Sequence, residues 1–173
     1  MTDLEVGDLG PEVTVSWHAG GTDGDAALRH HVARVVGVEP EEVSVGRLCG
    51  RCGSAEHGRP WSSHHVHVSL SRSGPHLLTA VSTAGPVGVD VEDVVAAEQA
   101  WGDLSELVEP SGSHHDDAAA AQRWCRIEAA LKRDGTGLEG RPRRAVAAVP
   151  AGVTVLDLDA PDGYRAAVAF DAG

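Results

Sequence analysis

The chemistry this sequence can offer gathers around four charged residues, Asp90, Glu92, Glu128 and Lys132. Asp90 and Glu92 stand two apart in the run 86–94 (PVGVDVEDV), where apolar and acidic residues alternate as in a strand. Side chains two apart in a strand share a face, so the two carboxylates lie side by side, with Val89 and Val91 turned inward. Trp124, Glu128 and Lys132 stand four apart, the spacing that puts a carboxylate and an ammonium one helical turn from each other. Taken singly, each pair is ordinary. Acids alternating with valines usually form a solvated strand face, and an exposed Glu–Lys pair contributes about 0.3–0.5 kcal/mol. Taken together they offer three oxygen ligands and one cation, the combination that a hard divalent ion and a pyrophosphate require.

Positioning these groups requires a strand over 86–94 and a helix over 117–134, which ends at Asp134-Gly135. The rest of the chain reads as strands over 12–17, 43–48, 66–71, 76–82, 145–149, 153–158 and 164–170. Helices are expected over 25–37, with Asp23 or Asp25 as cap and Gly37 as stop, and over 94–108. The glycine-rich segment 49–63 and the polar stretch 109–117 read as loops, and Ser73-Gly74-Pro75 as a turn. Strands and helices follow without a regular βαβ beat, which predicts a single α+β domain over 1–173. The order also allows two similar halves, 12–85 and 86–173, although no sequence repeat marks them.

The chain has 173 residues, and its 14 basic against 26 acidic side chains give a formal net charge of -12. Such a field repels polyanions, so a nucleic-acid or anionic-membrane binder is not expected. A bound anion would need a local arginine cluster or a metal. Of the basic residues thirteen are Arg, and Lys132 is the only lysine. In an Ala/Gly/Val/Arg-rich chain with a single Ile and no Asn, a surviving lysine is a candidate for a specific task. The three cysteines, Cys49, Cys52 and Cys125, are too few and too odd in number for a disulfide framework. The first ten residues lack the basic and apolar regions of a signal peptide, and no apolar run reaches ~20 residues. A monomeric cytoplasmic protein is the expectation.

Gly88-Val89-Asp90-Val91-Glu92, followed by Trp124-Cys125-Arg126-Ile127-Glu128-Ala129-Ala130-Leu131-Lys132, resembles the paired signature of the 4'-phosphopantetheinyl transferases. His57-Gly58-Arg59-Pro60, the segment Val68-Ser69-Leu70-Ser71-Arg72-Ser73-Gly74 and the end Gly135-Thr136-Gly137-Leu138 resemble further pieces of that family, in its order. The resemblance covers residues 26–170. It implies the family's fold of two pseudo-symmetric α/β halves. It further implies that Mg²⁺ lies between Asp90, Glu92 and Glu128 and the pyrophosphate of coenzyme A, with Lys132 on the phosphate. Glu128 would help deprotonate, directly or through water, the serine of an apo acyl or peptidyl carrier protein, whose oxygen attacks the β-phosphate and releases 3',5'-ADP. Ser71 and Arg72 would hold the 3'-phosphate of coenzyme A, and Gly58, Arg59 and Pro60 would run along its adenine and ribose. Arg72 stands where the family usually has His, Arg59 where it has Lys, and Ile127 where it has Lys; the lead before the first helix is short for the family. The two arginine changes are chemically mild, whereas Ile127 and the short lead point to a second reading, a member of the fold that binds coenzyme A as an accessory protein without transferring.

Cys49-x2-Cys52 with His57, and with His64, His65 and His67 beyond, points to a third reading, a small zinc-binding interaction protein. The pairs His30/His31 and His114/His115 read as surface residues. Trp17, Trp61 and Trp101 read as core or pocket wall, with Trp61 nearest a ligand.

Overall fold

A computed structural model describes residues 5–6, 9, 12–100, 117–136 and 152–171, of which Glu5, Val6 and 98–100 are described in backbone only. The architecture is α+β, with three antiparallel sheets among the described residues. Strand β1 (Glu5–Val6) pairs with β2 (Val13–His18), where Val13, Val15 and Trp17 alternate inward. Helix α1 (Gly24–Val36) begins where Asp23 Oδ1 accepts the Ala26 N–H at 2.8 Å. It stops at Gly37, whose φ of 76° suits the left-handed cap. A 3-10 turn (Pro40–Glu42) leads to β3 (Val45–Leu48).

Strand β4 (Arg59–Ser62) pairs antiparallel with β3, setting Pro60 opposite Arg47. This corrects the reading of 49–63 as loop throughout. The pairing is two-stranded, so Pro60 lies in an edge strand and its missing N–H costs no central ladder bond. The hairpin β5 (His67–Ser73) and β6 (His76–Ser82) completes the first sheet in the order β1-β2-β6-β5. Strand β7 (Val87–Asp93) runs into α2 (Val94–Ala100). After α3 (Asp117–Asp134), β8 (Val153–Leu158) and β9 (Tyr164–Asp171) join β7 in a sheet of order β7-β9-β8.

Four layers result. Leu28, Val32 and Ala33 of α1 pack on Val68 and Val81 of the first sheet. The opposite face of that sheet, with Val15, Trp17, Leu78 and Ala80, meets Val87, Val89, Val91 and Val168 of the second. Helix α3 covers the far face of the second sheet, setting Cys125, Ala129 and Ala130 against Ala167 and Ala169. The small side chains at this last contact allow a close approach of helix to sheet.

Where the two sheets come together, serines of β5 reach β7. Ser69 Oγ accepts the Val89 N–H at 3.1 Å, and Ser73 Oγ accepts the Asp93 N–H at 3.0 Å. Between them Ser71 Oγ donates to Asp90 Oδ1 at 2.8 Å. Ser69 and Ser73 thus satisfy backbone N–H groups of β7 that a strand ladder would otherwise pair, and Ser71, midway between them, reaches a side-chain carboxylate.

His31 departs from its surface reading: it is 2% exposed. Thr14 Oγ1 lies 2.9 Å from its Nε2 and Thr79 Oγ1 2.8 Å from its Nδ1. Trp17 is core as expected, whereas Trp61 is exposed and lies over Gly46, where a Cβ would meet its ring at 2.9 Å. No helix among the described residues is long and apolar enough to cross a membrane. Trp101, His114, His115, Gly137, Leu138, the strand at 145–149 and the continuation of the helix past Ala100 lie outside the described residues.

Candidate active site

Gly88 decides how near α3 comes to β7. A Cβ at this position would lie 2.0 Å from the Ala129 carbonyl oxygen and 2.4 Å from the Arg133 nitrogen, so only glycine admits the helix backbone here. The face of β7 that bears Gly88, Asp90 and Glu92 is therefore covered by α3 instead of solvated. Asp90 is 1% exposed.

Burial of a carboxylate demands partners, and Asp90 finds them in Lys132 and Ser71, with the Cys125 thiol also against it. Lys132 Nζ donates to Asp90 Oδ1 at 2.5 Å and to Ser71 Oγ at 2.9 Å, which closes a triangle of lysine, serine and carboxylate. The second oxygen, Asp90 Oδ2, is buried and receives no hydrogen bond. Burial raises the Asp90 pKa, opposed first by the charge of Lys132 and then by its hydrogen bond and that of Ser71. Glu92, to which the Trp124 side chain is hydrogen-bonded, is pushed up to about 7, by burial first and then by the charge of Asp90. Glu128 is raised as well, by burial and then by Asp90. Burial, followed by the charges of Asp90 and Glu92, pushes up the thiol of Cys125, which donates to the Arg165 carbonyl at 3.1 Å. That thiol is thereby kept protonated and unreactive.

Three carboxylates thus crowd one ammonium, and each would gain from a further positive charge. With the orphaned Asp90 Oδ2, this is a donor set of hard oxygens that fits Mg²⁺, which takes one or two carboxylates and completes its shell with water and phosphate. The oxygens of Asp90, Glu92 and Glu128 do not form a trio within 4.8 Å of one another; among the described residues only Cys49, Cys52 and His57 do so.

A cleft of about 740 Å³ opens beside this cluster, bounded by β3, β4, β5 and the C-terminal end of α3. Gly58, Arg59, Pro60, Glu128 and Lys132 line it, as do Arg47 and Arg51. Arg59 reaches across to the helix end, donating to the Arg133 carbonyl at 3.2 Å, a favourable place for a cation beside unsatisfied helix carbonyls. Arg47 lies 3.8 Å from Asp25. Lys132 joins the two parts of the site, since it lines the cleft and holds the buried carboxylate behind it. A smaller hollow of about 430 Å³ by Arg29, His30 and Glu41 contains none of the candidate residues.

No protein-family profile matches this chain, and no curated protein does.

Ser71 and Arg72 do not line the cleft. Adjacent residues of a strand face opposite sides, so the hydroxyl of Ser71 turns to Asp90 while the guanidinium of Arg72 donates to the Thr22 carbonyl. Arg47 and Arg51 were not singled out in the sequence. The register of β3 against β4, which no local pattern announces, is what brings Arg47 beside Pro60. Ile127 is half-buried.

Proposed function

We propose that the chain is a magnesium-dependent 4'-phosphopantetheinyl transferase, with the fold of two pseudo-symmetric α/β halves that this family has. It takes the phosphopantetheine group from coenzyme A and places it on a serine of an apo acyl or peptidyl carrier protein. The observation that carries the reading is that Glu128 and Lys132 of α3 and Gly58-Arg59-Pro60 at the start of β4, distant in sequence, line one cleft with the buried Asp90 behind it.

Each residue then has a task. Arg47, Arg51 and Arg59 supply the fixed positive charge that a coenzyme A phosphate needs on a protein of net charge -12. Glu128 accepts the proton of the carrier serine, directly or through water. The serine oxygen forms its bond to the β-phosphorus as the bond to 3',5'-ADP breaks, and Lys132 neutralises the charge that develops on the departing phosphate. Asp90 and Ser71 hold the lysine in place for this. Asp90, Glu92 and Glu128 would hold Mg²⁺, which would supply further charge neutralisation at the pyrophosphate. A cytoplasmic monomer remains the expected setting.

The close Lys132–Asp90 pair also favours a second reading, in which the cleft binds coenzyme A and the lysine stays on the carboxylate without assisting transfer. Incubation with coenzyme A, Mg²⁺ and a panel of apo carrier proteins, read by intact mass, separates the two. A carrier that gains the phosphopantetheine mass supports the transferase. A melting temperature raised by coenzyme A with no mass gain supports the binding protein, and neither response removes both.

A further inference from the structure

Residues 49–58 connect β3 to β4 and have no apolar core of their own: Arg51, Cys52, Gly53, Ala55, Glu56, His57 and Gly58 are all exposed. Ordering such a segment costs about 1–2 kcal/mol per residue, which burial cannot supply here. Its conformation is nonetheless specific. The Cys49 N–H donates to the Ser54 carbonyl at 2.9 Å, and the Gly53 N–H returns to the Cys49 carbonyl at 2.9 Å. Gly53 has φ +71°, the left-handed value that lets the chain reverse just after the second cysteine. At the other end Gly58 has φ +105°, and a Cβ there would meet the Cys49 nitrogen and Cα at 2.5 Å. Backbone thus presses on backbone, and His57 is carried back over the two cysteines.

Two thiols and an imidazole converge as a result. Cys52 Sγ lies 3.4 Å from His57 Nε2, and one ligand atom from each of Cys49, Cys52 and His57 falls within 4.8 Å of the others. His64, His65 and His67 are outside this group.

We propose that Cys49, Cys52 and His57 bind a zinc ion that fixes the 49–58 loop. Two sulfurs and a nitrogen are the soft and borderline donors that zinc prefers over magnesium or calcium, and a spacing of two between cysteines is the usual one for a shared ion. Two thiolates cancel the charge of the ion, so the site adds no net charge to a cleft whose arginines face anions. Three protein ligands leave the fourth tetrahedral position to water. Because His57 directly precedes Gly58-Arg59-Pro60, ligation also fixes the start of β4 and with it one wall of the cleft. The proposal does not depend on phosphopantetheine transfer.

Metal binding by the full-length reduced chain tests it. After chelation, titration with Co²⁺ is expected to give the visible bands of tetrahedral cobalt with a thiolate charge-transfer band, saturating at one equivalent and displaced by one equivalent of Zn²⁺. Zinc is also expected to raise the melting temperature. Cys52→Ser and His57→Ala should each weaken binding by more than the roughly 10–100-fold that outer-shell changes cost. Both should keep the far-ultraviolet circular dichroism of the metal-free parent, since both positions are exposed, and His64→Ala/His65→Ala should bind as the parent does. The proposal is overturned if the parent binds Zn²⁺ no more tightly than Cys49→Ser/Cys52→Ser. It is also overturned if the cobalt spectrum lacks the thiolate band, or if loss of His64 and His65 abolishes binding.

Discussion

Lys132 Nζ lies 2.5 Å from Asp90 Oδ1, so the only lysine of the chain neutralises a carboxylate that α3 itself has buried. Lys132→Ala is therefore expected to lower stability as well as transfer. Breaking a fully buried pair costs about 3–5 kcal/mol, and the 31% exposure of the lysine reduces this to roughly 1–3 kcal/mol. Asp90→Asn/Lys132→Met removes both charges and should recover most of the melting temperature without recovering transfer. Thermal unfolding and the carrier mass assay on the two variants check this. A double variant no more stable than Lys132→Ala would mean the pair is not what the single substitution breaks.

Glu128 has no comparable structural duty, since it is half-buried beside the cleft with its pKa raised by burial and by Asp90. Glu128→Gln should keep the fold, hold or raise the melting temperature above neutral pH, and slow transfer about 10²–10⁴-fold, the usual contribution of a general base. Single-turnover transfer with saturating coenzyme A measures it; near-normal rates would remove Glu128 from the proton transfer.

Gly88→Ala meets backbone on two sides, the Ala129 carbonyl and the Arg133 nitrogen, and neither can swing aside as a flexible side chain would. Overpacking a core usually costs about 1–3 kcal/mol, and here it should reach at least the upper end. Helix α3 must then lift from β7, which separates Lys132 from Asp90. Chemical denaturation should report the loss of stability, and coenzyme A binding should weaken in parallel if the cleft is the binding site.

His31, pushed down to about 3 by burial first and then by Arg34 and His18, makes folding sensitive to acid. The unfolded chain takes up a proton at the ordinary histidine value of 6.5, whereas the folded chain refuses it until about 3. The unfolded state therefore binds more protons in that window, and stability falls as pH drops from 6.5 toward 3, by roughly 1.4 kcal/mol per pH unit from this residue. The carboxyls of Asp90, Glu92 and Glu128, all raised, act in the opposite sense, so stability from them falls as pH rises through their titration. The difference in unfolding free energy between the parent and His31→Gln isolates the histidine. It should change across pH 6.5 to 4 and be flat above pH 7.

Most of the elements were legible because their patterns are local. Val13, Val15 and Trp17 alternate whatever lies opposite, Asp23 and Gly37 cap α1 through neighbouring backbone, and α3 carries its own periodicity. Strand β4 was not legible, because Arg59–Ser62 becomes a strand by pairing with β3 across a long loop and contains a proline. The run Val89-Asp90-Val91-Glu92 reads the same whether its acidic face meets water or a helix, so the burial of Asp90 could not be read from it. The burial of His31 is equally hidden, since nothing in its own helix tells that Thr14 and Thr79 await its ring.

By itself, then, the sequence determined which residues could do chemistry and which elements carry them, since residue type and period belong to single segments. It singled out Lys132 by composition and Glu128 by spacing. Only the tertiary structure decided that Lys132 is held by Asp90 and Ser71, that Ser71 and Arg72 part company, and that Cys49, Cys52 and His57 converge. Those outcomes depend on what packs against each face and how near two backbones come. At Gly88 that nearness rests on the absence of one carbon atom.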